Sequence, residues 1–157
     1  PLYMNGIQSL WDASGINAQL SFPYRYKTKG EVFAECSDQA ILKALVNDSK
    51  SCGKIQRHNL THCGECFPCL VRRAAFLAAN IPDKTKKGYL SKKLGDSTSR
   101  DLLAVASAFL RYKQKGLPYF VGGALAFASN QERVEYERVV ARGMDELGQL
   151  LKKHGVL

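Results

Sequence analysis

The sequence lacks any run of about eighteen apolar residues, which is the length that a helix needs to cross a membrane. It begins Pro1-Leu2-Tyr3, with no initiator Met and with neither the basic nor the apolar region of a secretory signal. Low-complexity segments and internal repeats are also missing. These absences predict a soluble protein with no membrane partner, and we expect the chain to be a piece of a longer one.

Acidic residues are few relative to basic ones. The 157 residues include 23 Lys and Arg against 14 Asp and Glu, which gives a formal net charge of +9. Such an excess favours a polyanionic partner, such as nucleic acid, a nucleotide or an acidic protein surface, although a well-solvated surface explains it equally well. With 45% hydrophobic residues, the chain is long enough to form a domain with its own core.

The cysteines do not form an even set. There are five, and four of them lie close together between Cys52 and Cys69. This arrangement favours metal binding in a reducing compartment over a disulfide framework, so a cytoplasmic location is predicted. The fifth, Cys36, falls on the apolar side of a predicted helix and is interpreted as a small core residue.

Apolar periodicity predicts a mainly α protein with one short β element. Apolar and polar residues alternate from Ile16 to Phe22, which predicts a half-buried strand that ends at Pro23. The 3.6-residue period predicts helices near residues 3–13, 29–47, 68–80, 99–113 and 131–154. The lysine-rich stretch 84–93 is the most plausible boundary, and it divides the chain into residues 1–90 and a helical extension, residues 91–157.

Helix-start signals and apolar faces accompany these helices. Capping boxes are predicted from Thr28 with Glu31 and from Ser129 with Glu132, and Thr98 is the expected cap of the fourth helix. The residues expected to face the core are Val32, Phe33, Ala40, Ile41, Ala44, Leu45, Leu70, Ala74, Leu77, Ala78, Leu102, Val105, Ala106, Phe109, Leu110, Val134, Val140, Met144, Leu147 and Leu151.

The four clustered cysteines follow the pattern C-x10-C-x2-C-x2-C, formed by Cys52, Cys63, Cys66 and Cys69. A C-x-x-C step turns two thiolates onto one ion, and four thiolates form the soft tetrahedral site that Zn²⁺ accepts. Because the cysteines fill all four positions, the predicted ion is structural rather than catalytic.

Two other interpretations of this cluster exist. A bacterial iron–sulfur signature also begins C-x2-C-x2-C, but its fourth cysteine follows three residues later, where this chain has Val71-Arg72-Arg73. His58 and His62 are alternative ligands, although with four cysteines nearby they are more readily assigned to the loop around the metal.

Two arginines follow the last cysteine. Arg72 stands three residues after Cys69, on the same helix face, so it is expected near the sulfur atoms, where it would offset their negative charge. Arg73 is turned about 100° away and is expected to meet a substrate or solvent.

Six segments, taken together, resemble the C-terminal part of the 7-cyano-7-deazaguanine synthase family. In order, they are Pro23, Lys29-Gly30-Glu31-Val32, Ser51-Cys52, Cys63-Gly64-Glu65-Cys66-Phe67-Pro68-Cys69-Leu70-Val71-Arg72, Ala75-Phe76 and Ile81-Pro82-Asp83. The resemblance covers about residues 16 to 90. The cysteine motif alone is moderately specific, and the Lys-x-Glu and Ile-Pro-Asp segments around it make the set highly specific.

The resemblance implies the zinc-stabilised C-terminal part of an α/β enzyme whose N-terminal half is an adenine-nucleotide α-hydrolase-like, pyrophosphatase-loop domain. Such enzymes use ATP, with Mg²⁺ implied, and ammonia to convert 7-carboxy-7-deazaguanine into a nitrile for queuosine synthesis. It implies Zn²⁺ on the four cysteines and the ATP-binding half as partner. The candidate substrate-binding residues are Lys27, Lys29, Glu31 and Arg73.

The sequence also departs from the family. The ATP loop Ser-Gly-Gly-x-Asp-Ser is missing, so these residues alone cannot adenylate a substrate by that route. Gly53 replaces the aromatic residue usual after the first zinc cysteine. Extended relatives occur in antiviral defence gene clusters, where such proteins are thought to act on a partner protein. The alternative is a zinc-dependent nucleic-acid- or protein-binding module without catalysis, based on Tyr24-Arg25-Tyr26-Lys27 and the lysine-rich stretch.

Overall fold

The computed structural model describes residues 2–157 and is mainly helical. Its helices are α1 (Leu2–Ala13), α2 (Lys29–Ala34), α3 (Gln39–Leu45), α4 (Phe67–Ala78), α5 (Arg100–Lys115), α6 (Leu117–Val121) and α7 (Asn130–Lys153). Two 3-10 turns, Val46–Asp48 and Ile55–His58, lie between α3 and α4. Within residues 2–157, no helix is both long and apolar enough to cross a membrane. The mainly α prediction is confirmed.

The strand predicted from Ile16 to Phe22 is wrong, because residues 16–22 have no regular secondary structure. A strand needs the backbone of a neighbouring strand, and here a side chain of α1 takes that place. The Gln8 amide accepts a hydrogen bond from the Leu20 N–H at 2.8 Å and donates one to the Ala18 carbonyl at 3.0 Å. The only β pairing in the described residues is an isolated bridge between His62 and Tyr89.

The single helix predicted over residues 29–47 is two helices, α2 and α3. The predicted capping box is confirmed: Thr28 accepts a hydrogen bond from the Glu31 N–H, and the Glu31 carboxylate accepts one from the Thr28 N–H. A second cap was missed. Asp38 accepts a hydrogen bond from the Ile41 N–H at 2.9 Å and begins a new helix.

This break turns part of the predicted apolar face outward. Ile41 is 58% exposed and Leu45 is 62% exposed, so both are wrongly predicted as core residues. Cys36 is half-buried at the break, with its sulfur 3.5 Å from the Asp38 carbonyl oxygen, and so is not a core residue either. Val46 takes over the buried position at the end of α3.

The main hydrophobic core joins α4, α5 and α7. Its buried members are Leu70, Ala74, Leu94, Leu102, Val105, Ala106, Phe109, Met144, Leu147, Leu150 and Leu151. The Phe109 ring lies so close to Gly148 that a side chain there would meet it within 2.3 Å, which lets α5 and α7 approach closely. One core therefore contains residues from both sides of position 90. Leu110 and Val134, predicted to face inward, are 55% and 45% exposed.

Helix starts follow the predicted signals with one shift. Ser129 and Glu132 form the expected capping box of α7. The N-cap of α5 is Ser99 rather than Thr98, and its side chain makes no capping hydrogen bond.

We predict that Leu102→Ala lowers the free energy of unfolding by about 2 to 5 kcal/mol, because it leaves a cavity in the main core. Leu110→Ala changes the same helix at an exposed position and should cost less than about 0.5 kcal/mol. Urea denaturation of the metal-loaded protein measures both. Equal losses for the two variants would contradict the packing described here.

Candidate metal centre

The four clustered cysteines converge on one buried point. Their sulfur atoms all lie within 4.8 Å of one another, and Cys69 is fully buried. The Sγ–Sγ distances are 3.6 Å for Cys52–Cys63, 3.9 Å for Cys63–Cys69 and 3.8 Å for Cys52–Cys66. All four are free thiols rather than disulfide partners.

These separations fit a tetrahedral metal ion. A zinc–sulfur bond of about 2.3 Å places the corners of a regular tetrahedron about 3.8 Å apart. A disulfide, by contrast, needs sulfur atoms about 2.05 Å apart. The geometry of the four cysteines is therefore that of a metal site in which every position is filled by protein, and it can hold a structural metal ion.

Backbone N–H groups point at the sulfur atoms. The Cys52 sulfur accepts hydrogen bonds from the N–H groups of Lys54 and Cys63, each at 3.4 Å, and the Cys63 sulfur accepts one from the Cys66 N–H at 3.3 Å. Burial alone would raise the pKa of the Cys52 thiol, but these N–H donors lower it below its ordinary value. Burial raises the pKa of the Cys69 thiol. A bound cation is what would keep all four sulfurs ionised together.

Two local features bring the last three cysteines together. Gly64 has φ +91°, and a side chain on it would lie 2.5 Å from the Ser91 carbonyl oxygen, so the turn between Cys63 and Cys66 requires glycine. Cys66 is the N-cap of α4, and Pro68 stands at the start of the helix. Cys69 thus sits in the first turn of α4, where thiolates are favoured by the helix dipole.

The two histidines proposed as alternative ligands are not among the residues that form the cluster. His62 is completely buried, and its Nε2 accepts a hydrogen bond from the Ser51 N–H at 3.3 Å. Its Nδ1 and the Ser51 Oγ have no hydrogen-bond partner in the described residues. His62 therefore packs beside the cluster, where it holds the segment that leads into Cys52.

Arg72 was predicted to lie near the sulfur atoms, and the structure corrects this. Its guanidinium is fully buried and donates to Thr85 Oγ1 at 3.0 Å, Ser49 Oγ at 2.7 Å and the Val46 carbonyl at 2.8 Å. It also lies 4.9 Å from the centre of the Phe76 ring. Arg72 thus joins α4 to the 3-10 turn before the first cysteine and to the loop after α4.

Arg73, rather than Arg72, reaches the loop that carries the cysteines. Its guanidinium donates to the carbonyl oxygens of Gly64 and Ser91, each at 3.2 Å, and of Lys92 at 2.9 Å. Arg73 was expected to meet a substrate or solvent, and the solvent part of that expectation is wrong, because only 8% of the residue is exposed. Tyr89, whose ring lies 4.9 Å from Arg73, was not singled out from the sequence.

The remaining substrate-binding candidates, Lys27, Lys29 and Glu31, lie in or just before α2, and their side chains differ in their charged partners. Lys27 forms an ion pair with Glu35, and Glu31 forms one with Arg142 of α7. Lys29 is half-buried and forms no ion pair within residues 2–157. Its burial, and then the charge of Arg72, lowers its pKa. Among these side chains, Lys29 alone has neither a carboxylate partner nor a capping role.

Comparison with family models, curated proteins and solved structures finds no match to this chain.

Purified protein is predicted to contain about one zinc per chain and to be colourless. Cys69→Ser should reduce the zinc content well below one, because one of four ligands is weakened. Cys36→Ser is the matched control, since Cys36 lies outside the cluster, and its zinc content should not change. Elemental analysis measures both, and a brown protein that absorbs near 400 nm would instead show an iron–sulfur cluster.

Arg72→Met is predicted to lower the free energy of unfolding by about 3 kcal/mol, because buried groups lose their hydrogen-bonding partner. The folded variant should still bind about one zinc per chain, since the guanidinium contacts the loops rather than sulfur. Unfolding by urea and elemental analysis on the same sample separate the two effects. Loss of zinc at unchanged stability would instead support the prediction from the sequence that Arg72 acts on the metal site.

Proposed function

We propose that the four cysteines hold a structural Zn²⁺ ion. We further propose that the chain supplies the zinc-binding portion of an ATP-dependent ligase similar to 7-cyano-7-deazaguanine synthases. The observation that carries the proposal is the convergence of the segments that resemble the family. Phe33 of the Lys-x-Glu helix, Phe76 of the cysteine-bearing helix and Ile81 of the Ile-Pro-Asp segment lie in one buried cluster.

The donor set supports zinc and a structural role. Four thiolates at tetrahedral separations suit a soft ion without redox chemistry, and no ligand position remains for a substrate. Metal binding at such a site stabilises the folded state by on the order of 10 kcal/mol. In this chain that stability would fix the start of α4, and with it the position of Arg73.

Lys29 is the residue best suited to contact a substrate. Its ammonium group is half-buried beside Arg72, and in the part of the chain that the structure describes it has no carboxylate partner. A carboxylate or phosphate group would supply the missing negative charge. For Lys27 and Glu31 to serve the same role, each would first have to leave an ion pair.

The proposal requires an ATP-binding half, to be sought upstream in the same gene or in a neighbouring one, and the activity can be tested by assembling that half with this chain. With ATP, Mg²⁺, ammonia and 7-carboxy-7-deazaguanine, the assembly is predicted to release pyrophosphate and to form the nitrile, detected by mass spectrometry. Lys29→Met should reduce the rate at least about tenfold, as expected for loss of one charged hydrogen bond. Lys43→Met, an exposed position on α3, is the control.

Two results would contradict the ligase proposal. One is the absence of a Ser-Gly-Gly-x-Asp-Ser loop from the upstream and neighbouring sequences. The other is an assembly that contains the loop but releases no pyrophosphate with any acceptor. If the deazaguanine is not used but ATP and ammonia convert a carboxyl group of a co-encoded partner protein into an amide, with loss of water, the ligase class holds and the substrate is the protein.

A zinc-dependent nucleic-acid-binding module is the second proposal, and the lysine-rich stretch favours it. Lys84, Lys86, Lys87, Lys92 and Lys93 are all exposed. The aromatic and basic loop, residues 24–27, offers less free positive charge to a nucleic acid, because Arg25 and Lys27 are paired with Glu132 and Glu35. A salt-dependent gel shift tests this module, and the absence of any shift at low ionic strength excludes it.

A further inference from the structure

A cavity of about 430 Å³ lies between α4, the loop that follows it and the end of α7. Its volume falls within the range of small-molecule sites. Apolar side chains line one part of it, and of these Leu77 and Pro82 are accessible, whereas Phe76, Ile81 and Leu150 are buried beneath the surface. The polar residues that line the rest come from three separate segments, so the cavity forms only when the chain is folded.

Arg73 is the fixed cation of this cavity. Its hydrogen bonds to three backbone carbonyls hold the guanidinium in place, and its Nη2 lies 3.4 Å from His154 Nε2. These contacts use the two terminal nitrogens. The Nε–H has no acceptor within residues 2–157, and Arg73 is among the residues that line the cavity. Because the guanidinium is already held, a ligand would spend little free energy on ordering it.

The positive charge of the cavity is only partly balanced by protein. Neither Arg73 nor Lys153 forms an ion pair among the residues described. The one carboxylate in the lining, Asp83, already accepts hydrogen bonds from Tyr89 at 2.7 Å and from the Thr85 hydroxyl at 2.6 Å. These donors are neutral hydroxyls, so Asp83 offsets one of the two cations, and the lining keeps a net positive charge that favours an anion.

We propose that this cavity binds a small organic anion whose apolar or aromatic body packs on Leu77 and Pro82, and whose carboxylate or phosphate group meets Arg73, Lys153 and His154. The inference does not depend on the ligase activity, because it concerns binding without ATP. It gives the end of α7 a role in a ligand site, although His154 lies 81 positions after Arg73 in the sequence.

The end of α7 offers a matched control. Lys152 and Lys153 both lie in its last turn, where cations offset the helix dipole, but only Lys153 lines the cavity. If the lysines only offset the helix dipole, replacing either one should have the same effect on ligand affinity. If Lys153 contacts the ligand, its replacement should weaken binding more than that of Lys152.

The test titrates benzoate, phenyl phosphate, inorganic phosphate and benzamidine separately into the full zinc-loaded chain, with amide chemical shifts recorded by nuclear magnetic resonance. Benzoate or phenyl phosphate is expected to saturate, with the largest shifts at Arg73, Tyr89 and His154. Lys153→Gln should weaken that binding about tenfold, the effect of one charged hydrogen bond, whereas Lys152→Gln should leave it unchanged. The tighter of the two probes identifies the anionic group.

Three results would overturn the inference. The first is a titration in which neither aromatic anion saturates at these residues. The second is an equal loss of affinity in Lys152→Gln and Lys153→Gln. The third is binding of benzamidine or inorganic phosphate as tight as that of the aromatic anions, since the site would then lack either its charge preference or its apolar part.

Discussion

Four sulfur atoms that share one buried point are the constraint on which the surrounding structure depends. Thiolates 3.6 to 3.9 Å apart repel one another, and burial raises the cost of ionising them. A divalent ion in their centre removes both problems, whereas disulfide pairing would require much shorter distances. The glycine turn at Gly64, the N–H groups that face the sulfurs and the start of α4 at Cys66 all follow from this requirement.

Helix α4 carries this constraint into the rest of the molecule. Its first turn holds Cys69, and its next turns place Leu70 and Ala74 in the main core with α5 and α7. The side chains of the two consecutive arginines form hydrogen bonds with different parts of the chain. Arg72 holds the segments before the first cysteine and after the helix, and Arg73 holds the loop that contains Gly64. The cysteine cluster, the main core and the cavity lined by Arg73 thus all have their positions set by one helix of 12 residues.

What the sequence could predict was largely local. Cysteine spacing located the metal cluster, and the two capping boxes located the starts of α2 and α7, because each signal lies within a few residues of chain. The prediction of a strand at residues 16–22 was wrong, because alternation of apolar and polar residues does not show whether a second strand is present to pair with it. The sequence did not reveal the hydrogen-bond partners of Arg72 and Arg73. Val46, Thr85 and His154 are distant in sequence, and helical spacing from Cys69 does not locate them.

The proposed ligase function, the proposed nucleic-acid-binding module and the proposed anion site all assume that zinc fixes the start of α4. X-ray absorption at the zinc edge of the purified protein tests that assumption most directly. The account predicts four sulfur neighbours at about 2.3 Å and no lighter atom bound to zinc. A first shell that contains nitrogen or oxygen, or a folded protein that holds no metal, would contradict it.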